Sequence, residues 1–159
     1  MKNIKDNSER LINILREKGY TITTAESCTG GLISATLVNV AGASYVLNEA
    51  YVTYANSAKE KLIGVRHETL CEHGAVSEQT AYEMAKGAAK AASADCAIAV
   101  TGIAGPDGGT EDKPVGTVYA GYYVCGRIVV ERYQFDGDRY EVRQQTTLKT
   151  IDRIYELLM

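Results

Sequence analysis

The chain has 159 residues, of which 45% are hydrophobic and 23% charged, the profile of one ordinary globular domain spanning residues 1–159 with a core of its own. A net charge of −3, with no Lys/Arg run longer than two, argues against sequence-independent nucleic-acid binding, which rests on phosphate neutralisation. No apolar stretch approaches the roughly 20 residues of a membrane helix, and the polar N-terminus lacks the apolar segment of a signal peptide, so the expected compartment is the cytoplasm.

In chain order, Ile4, Leu11, Ile12 and Leu15 share one helical face over residues 3–18, and Gly19 stands where a helix stops. Residues 20–24 alternate as a strand and 25–28 read as a sharp turn. A helix over 29–39 follows, with Thr29 as its N-cap and Gly30 and Gly31 in its first turn. Gly42 opens a further turn. A strand is expected over 48–54, and a short helix capped by Asn56 runs through Ile63 to Gly64. Another helical turn covers 66–73. Ser77 then caps a longer helix whose Ala81, Met84, Ala85, Ala88 and Ala92 form a small-residue face suited to close packing on a sheet.

Residues 95–101 are a nearly continuous apolar run, typical of a buried central strand. From Gly102 to Gly116 the chain holds five glycines, both prolines and no periodicity; a loop of this length in a compact domain is commonly functional or else disordered. Residues 115–125 and 127–135 form a hairpin through Gly126. Asp136-Gly-Asp138 opens a last helix, with Leu148, Ile151, Tyr155 and Leu158 as its buried stripe. Helices interleaved with about five strands predict an α/β class, with helices on both faces of a sheet that the late hairpin makes mixed.

Ser27 is the candidate nucleophile. It stands in a strand–turn–helix whose free N–H groups and helix dipole favour anions and developing oxyanions. Its activation needs a base, and Lys59 in the first turn of the 56–63 helix is placed where a helix dipole and burial lower an amine pKa; Tyr54 can relay a proton or orient that amine. Alternatively Lys59 is an exposed residue of a Lys/Glu-rich helix and Tyr54 a packing residue. Backbone N–H groups around Thr101–Gly105 form a second anion-friendly turn, although neither a Walker A loop nor a G-x-G-x-x-G fingerprint is present. Arg139 and Arg143 share a helix face and can grip a phosphate, or pair with Asp138 and Glu141. Cys28 is a rival nucleophile, with His67 or His73 as base. Cys28, Cys71, Cys96 and Cys125 lack C-x-x-C spacing, so reduced, mostly buried thiols are expected rather than disulfides or a metal site.

Six motifs, in order, carry a resemblance: Ala25-Glu-Ser-Cys-Thr-Gly-Gly31; Val52-Thr-Tyr-Ala-Asn56 with Lys59; Gly74-Ala-Val-Ser-Glu78; Val100-Thr-Gly-Ile-Ala-Gly-Pro-Asp-Gly-Gly109; Lys113-Pro-Val-Gly-Thr117; and Gly137-Asp-Arg139 with Val142-Arg143. From about Leu11 to the C-terminus the chain resembles the CinA C-terminal domain family, whose enzymatic members are nicotinamide-nucleotide amidases. The resemblance implies a three-layer α/β/α fold with a mixed, mostly parallel sheet and no metal or other cofactor. It also implies hydrolysis of nicotinamide mononucleotide to nicotinic acid mononucleotide and ammonia, in pyridine nucleotide recycling. Ser27 resembles the acylated nucleophile and Lys59 its base, with Tyr54 beside them; Thr101 and Gly102 resemble part of the substrate wall. Thr29, Gly30 and Gly31 are expected at the substrate, and Arg139 and Arg143 at its phosphate. Ala55 replaces a serine frequent in the family without removing a catalytic group. Only about ten residues precede the matched region, so the molybdopterin-binding-like domain of many members is expected to be absent. A homodimer is the expected assembly. A catalytically silent nucleotide-binding or regulatory module is the alternative within the same family.

Overall fold

The computed structural model describes residues 2–159, with side chains from residue 6 onward; the side chain of Ile4 lies outside the described residues. Helix α1 (Lys2–Lys18) leads into strand β1 (Ile22–Glu26) and helix α2 (Leu32–Val38). A 3₁₀ turn at Ala43–Tyr45 precedes strand β2 (Tyr51–Val52), and three helices follow: α3 (Asn56–Ile63), α4 (His67–His73) and α5 (Glu78–Ala92). Strand β3 (Cys96–Gly102) then enters the long irregular loop, and the hairpin β4 (Thr117–Val124) and β5 (Arg127–Gln134) leads to helix α6 (Arg139–Leu158).

The five strands form one sheet in the order β2-β1-β3-β4-β5. β1 is parallel to both β2 and β3, whereas β4 pairs antiparallel with β3 and with β5. Four of the five strands therefore run the same way and β4 alone is reversed, because a two-residue hairpin can join only antiparallel neighbours. Cys125 and Gly126 form that hairpin turn with φ of 47° and 94°, the pair of positive values a type I′ turn requires. Cys125 is consequently exposed, as is Cys71, while Cys28 and Cys96 are buried; the expectation of mostly buried thiols holds for half of them.

Alternation along β3 sorts the two faces of the sheet. Cys96, Ile98 and Val100 join Leu11, Ile12 and Leu15 of α1, Ile33 and Leu37 of α2, and Val142, Ile151 and Ile154 of α6 in one core. Ala97 and Ala99 point the other way, against Met84, Ala85, Ala88 and Ala89 of α5 and against Ile63 and Leu70. The small residues on both sides of that second interface bring α5 close: a Cβ at Gly121 of β4 would lie 2.4 Å from the Ala81 carbonyl. Each fully buried Leu or Ile of the first core contributes about 1.5–3 kcal/mol by leaving water.

Several sequence expectations shift. β1 starts at Ile22 and continues through Glu26, because the parallel ladder to β3 runs to Glu26↔Val100 and absorbs half of the expected turn. β2 keeps two residues of the expected seven-residue strand, pairing only through Ala25↔Tyr51 and Glu26↔Val52. Asn56 is the first residue of α3 rather than its cap; the cap position is Ala55, with no side-chain hydrogen bond. Ser77 does cap α5, accepting from the Thr80 amide, and Asp138 and Glu141 form a reciprocal capping box at α6. On α6 the buried stripe is Val142, Thr146, Thr147, Thr150, Ile151, Ile154 and Leu158. Leu148 and Tyr155 are only half-buried, since the threonines satisfy their hydroxyls on carbonyls of their own helix, as Thr146 does on Val142 at 2.7 Å, and so pack as apolar residues.

Candidate active site

The carboxyl ends of β1, β2 and β3 lie side by side, and the helix following β1 covers one face of the sheet while those following β2 cover the other. That divergence opens a crevice at the strand ends, the usual ligand position in open α/β sheets. Ser27 is the first residue beyond β1. Its amide donates to the Val100 carbonyl (3.0 Å), which carries the parallel ladder one step further and holds the serine backbone against β3. Its side chain stands at the rim of the crevice, and the residue is 9% exposed.

Lys59 approaches from the first turn of α3 and is 1% exposed, while Lys61 and Leu62 beside it face solvent. The alternative of an exposed lysine is thereby overturned: a period of 3.6 puts Lys59 and Ile63 on the inner face together. Its amine lies 2.8 Å from the Thr53 carbonyl, 3.3 Å from that of Tyr54 and 3.2 Å from Ser27 Oγ. Burial pushes the lysine below its ordinary pKa, opposed by the neighbouring Cys28 thiol. Two carbonyls satisfy two N–H groups, so a neutral amine at this position turns its lone pair toward the Ser27 hydroxyl.

Tyr54 contributes to this pair through its backbone. Its hydroxyl is on an exposed side chain and accepts from Arg139 Nη2 at 2.9 Å, so a proton relay from Tyr54 to Lys59 has no contact behind it. Arg139 Nη1 donates to the Gly105 carbonyl (2.7 Å), and Arg143 donates to the carbonyls of Cys28 (3.1 Å) and Thr29 (2.8 Å). Neither arginine forms an ion pair with Asp138 or Glu141 among the described residues, because those two carboxylates are committed to the cap of α6. Both arginines line a cleft of about 680 Å³ with Ala104, Pro106, Val115 and Tyr140. A larger surface cavity, about 1210 Å³ between α3, α4 and α5, contains none of these groups.

Thr101 and Gly102 close β3 beside Ser27. The Thr101 hydroxyl donates to the Ala75 carbonyl (2.8 Å). At Gly102 a Cβ would lie 2.7 Å from Val118 Cγ2 and 2.8 Å from the Thr117 carbonyl, so only glycine fits. Thr29 is not the cap of α2. Its hydroxyl donates to Glu26 Oε2 (2.7 Å), and the helix starts after Gly31, which takes φ = 100°. The amides of Gly30 and Gly31 are engaged by the Ser27 carbonyl (3.1 Å) and the Glu26 carboxylate (3.0 Å). That of Thr29 is claimed by no carbonyl or carboxylate among the described residues, and that of Cys28 meets its own thiol. The Cys28 thiol is buried and pushed up to about 12, chiefly by desolvation. His67 bonds Glu60 (2.7 Å) and lies 3.4 Å from Cys71, and His73 pairs with Glu72 (3.7 Å); neither serves Cys28.

Glu26 is the residue that pattern reading passed over. It is fully buried and its two oxygens accept from Thr24 and Thr29 hydroxyls and from the Gly31, Ile33 and Ser34 amides. The signal available was an acidic residue closing the Ile22-Thr-Thr-Ala strand directly before a glycine-opened helix, where free N–H groups need an acceptor.

Fold and site together define a three-layer α/β/α protein with a buried Ser–Lys pair at the ends of its parallel strands. The model of the CinA C-terminal domain matches residues 4–158, and the chain belongs to that family. It is 50% identical over 151 residues to a CinA-like protein of Kosmotoga olearia, covering 95% of this chain and 37% of that protein. It is 48% identical over 150 residues to the nicotinamide-nucleotide amidohydrolase PncC of Escherichia coli K12, covering 94% of this chain and 91% of that one. The chain thus spans little more than a third of the first relative and nearly all of the second. Among solved structures, a competence/damage-inducible protein from Agrobacterium tumefaciens superposes with a TM-score of 0.96 at 41% identity, over 99% of this chain and 96% of the other. A CinA-superfamily protein from Klebsiella pneumoniae gives 0.94 at 37%, over 98% and 97%. No helix among the described residues is long and apolar enough to cross a membrane.

Proposed function

We propose that this chain is an amidohydrolase that converts nicotinamide mononucleotide to nicotinic acid mononucleotide and ammonia through an acyl-enzyme on Ser27. The observation that carries the reading is the 3.2 Å contact between Ser27 Oγ and the buried, pKa-lowered Lys59 amine. The similarity to the E. coli amidohydrolase over nearly the whole of both chains supports the substrate.

Neutral Lys59 takes the Ser27 proton as Oγ attacks the carboxamide carbon. The amide of Thr29, and that of Cys28, which meets only its own thiol, are the candidate donors to the developing oxyanion. Lys59 returns the proton to the departing nitrogen, which leaves as ammonia, and then deprotonates the water that frees the nicotinate product. Arg139 and Arg143 retain N–H groups beyond those bonding carbonyls and Tyr54, and these hold the substrate phosphate in the cleft. Tyr54, fixed by Arg139, stands at the cleft as a substrate contact, with Thr101 and Gly102 forming the floor beside Ser27. This is the work of a single domain needing no metal or other cofactor. Its setting is pyridine nucleotide recycling in the cytoplasm by a homodimer.

The test is ammonia release from nicotinamide mononucleotide by the wild type, Ser27→Ala and Lys59→Ala. Turnover lost in both variants is the expected result. A folded wild type that binds the nucleotide and releases no ammonia would leave a silent nucleotide-binding module instead. Free nicotinamide is expected to be a poor substrate, since the phosphate and ribose supply the orientation.

A further inference from the structure

Glu26 is a buried ionisable residue beside Ser27 to which the mechanism above assigns no part. Three observations bear on it. First, five donors converge on its two oxygens at 2.7–3.1 Å, three of them amides at the start of α2 and the other two threonine hydroxyls. Second, its partners lie on both sides of the nucleophile turn: Thr24 before it, Thr29 and Gly31 within it, Ile33 and Ser34 after it. Third, α2 has no side-chain cap at Gly31, its own cap position, so this strand-end carboxylate is what joins the helix start to the strand end that presents Ser27.

We propose that Glu26 is a positioning residue for the reaction: by gathering the Gly31, Ile33 and Ser34 amides and the Thr29 hydroxyl, it fixes the turn so that Ser27 Oγ meets Lys59 and the Cys28 and Thr29 amides are set for the oxyanion. Arg143 braces the same turn from outside through the Cys28 and Thr29 carbonyls. Because the Gly31 amide is engaged by Glu26 and the Gly30 amide by Ser27, the glycine pair shapes the turn and is not the oxyanion donor. This inference rests on the reading of Ser27 as nucleophile.

The experiment uses Glu26→Gln and Glu26→Asp beside the wild type and Ser27→Ala, with two readouts and a thermal melt for each. The first readout is kcat and KM for nicotinamide mononucleotide. The second is the rate at which a fluorophosphonate probe phosphonylates Ser27: Oγ–P forms, P–F breaks, fluoride leaves, and the serine proton passes to Lys59. Glutamine has one acceptor oxygen and turns an NH₂ on donors, so the turn must shift; kcat and the labelling rate are expected to fall about 10²-fold with KM nearly unchanged. Aspartate, still a carboxylate, recovers part of both at a melting temperature no higher than that of the glutamine variant. If Glu26→Gln keeps the wild-type kcat and labelling rate, or if activity tracks only the unfolded fraction across variants, the proposal fails while the amidase reading stands. If the wild type is labelled and releases no ammonia, the substrate reading fails and Glu26 is judged on labelling alone. A folded wild type inert in both readouts overturns the nucleophile and this inference together.

Discussion

Two irregular segments meet at the crevice, and they are held in opposite ways. The Ser27–Gly31 turn is short and internally over-determined. A buried carboxylate, two threonine hydroxyls and the Gly31, Ile33 and Ser34 amides fix it from within, and the Val100 carbonyl and Arg143 add to that hold from outside. The segment from Ile103 to Gly116 is long, and distant side chains tie it down: Arg139 on Gly105, Arg132 on Asp112, Gln134 on Val115, and Lys113 reaching out to Val76. A bond must be attacked at a fixed distance, and a self-contained turn holds that distance. A substrate must enter and leave, and a loop secured by a few long side chains permits it. On the proposed reading, reaction chemistry belongs to the first segment and substrate retention to the second.

If that division is right, the largest effects come from the turn and its base. Ser27→Ala and Lys59→Ala are expected to lower kcat on the order of 10³-fold or more; a Lys59→Ala variant keeping a tenth of wild-type turnover would break the division at once. Arg139 ties the long loop and faces the cleft, so Arg139→Ala should raise KM for the nucleotide about 10- to 100-fold with a much smaller change in kcat. A drop confined to kcat would instead place Arg139 with the chemistry.

Stability should follow the same contrast. Gly102→Ala, at the base of the loop, forces a Cβ to 2.7 Å from Val118 and is expected to cost about 1–3 kcal/mol in denaturant unfolding. Gly108→Ala, at the tip, has its nearest neighbour at 3.6 Å and strains only a φ of +91°, costing about 1–2 kcal/mol.

Lys59 adds a pH signature. Its pKa is lowered on folding, so between that value and its ordinary 10.5 the unfolded chain binds a proton that the folded chain does not. Stability therefore rises with pH through this window, and the penalty is full below the lowered value and gone above 10.5. The difference in unfolding free energy between Lys59→Met and wild type should drift by up to about 1.4 kcal/mol per pH unit there, while kcat/KM climbs as the base loses its proton. A flat stability difference would mean the amine keeps its ordinary pKa. The smallest effect is expected at Cys28, whose thiol lies buried inside the rigid turn at about 12. Cys28→Ala should keep kcat/KM within about twofold, and alkylation of the native protein should spare Cys28.

The fold was largely legible because its signals are local and periodic. The alanine face of α5, the Ser77 cap, the Asp138 start of α6 and the Gly126 hairpin each depend on residues within a turn or two of one another. Boundaries slipped where pairing with a distant strand decided them, as at β1 and β2. At the site, Ser27 could be singled out because a strand–turn–helix has its own short-range grammar, and the bundle of six motifs pointed to the family that the match over residues 4–158 establishes.

What the amino-acid order determined alone was therefore the class of fold, the family and a shortlist of polar groups. Tertiary structure decided which of them meet. Whether Lys59 is a surface cation or a buried amine depends on α3 packing against α5 and bringing Lys59 to Ser27, 32 residues away along the chain. Whether Arg139 and Arg143 pair with neighbouring carboxylates or with remote carbonyls depends on where α6 crosses the turn. Which amides of that turn stay free depends on a carboxylate whose partners are gathered only by folding. Pattern records the period of a helix or strand; the desolvation that lowers the Lys59 pKa exists only once the chain has closed around it.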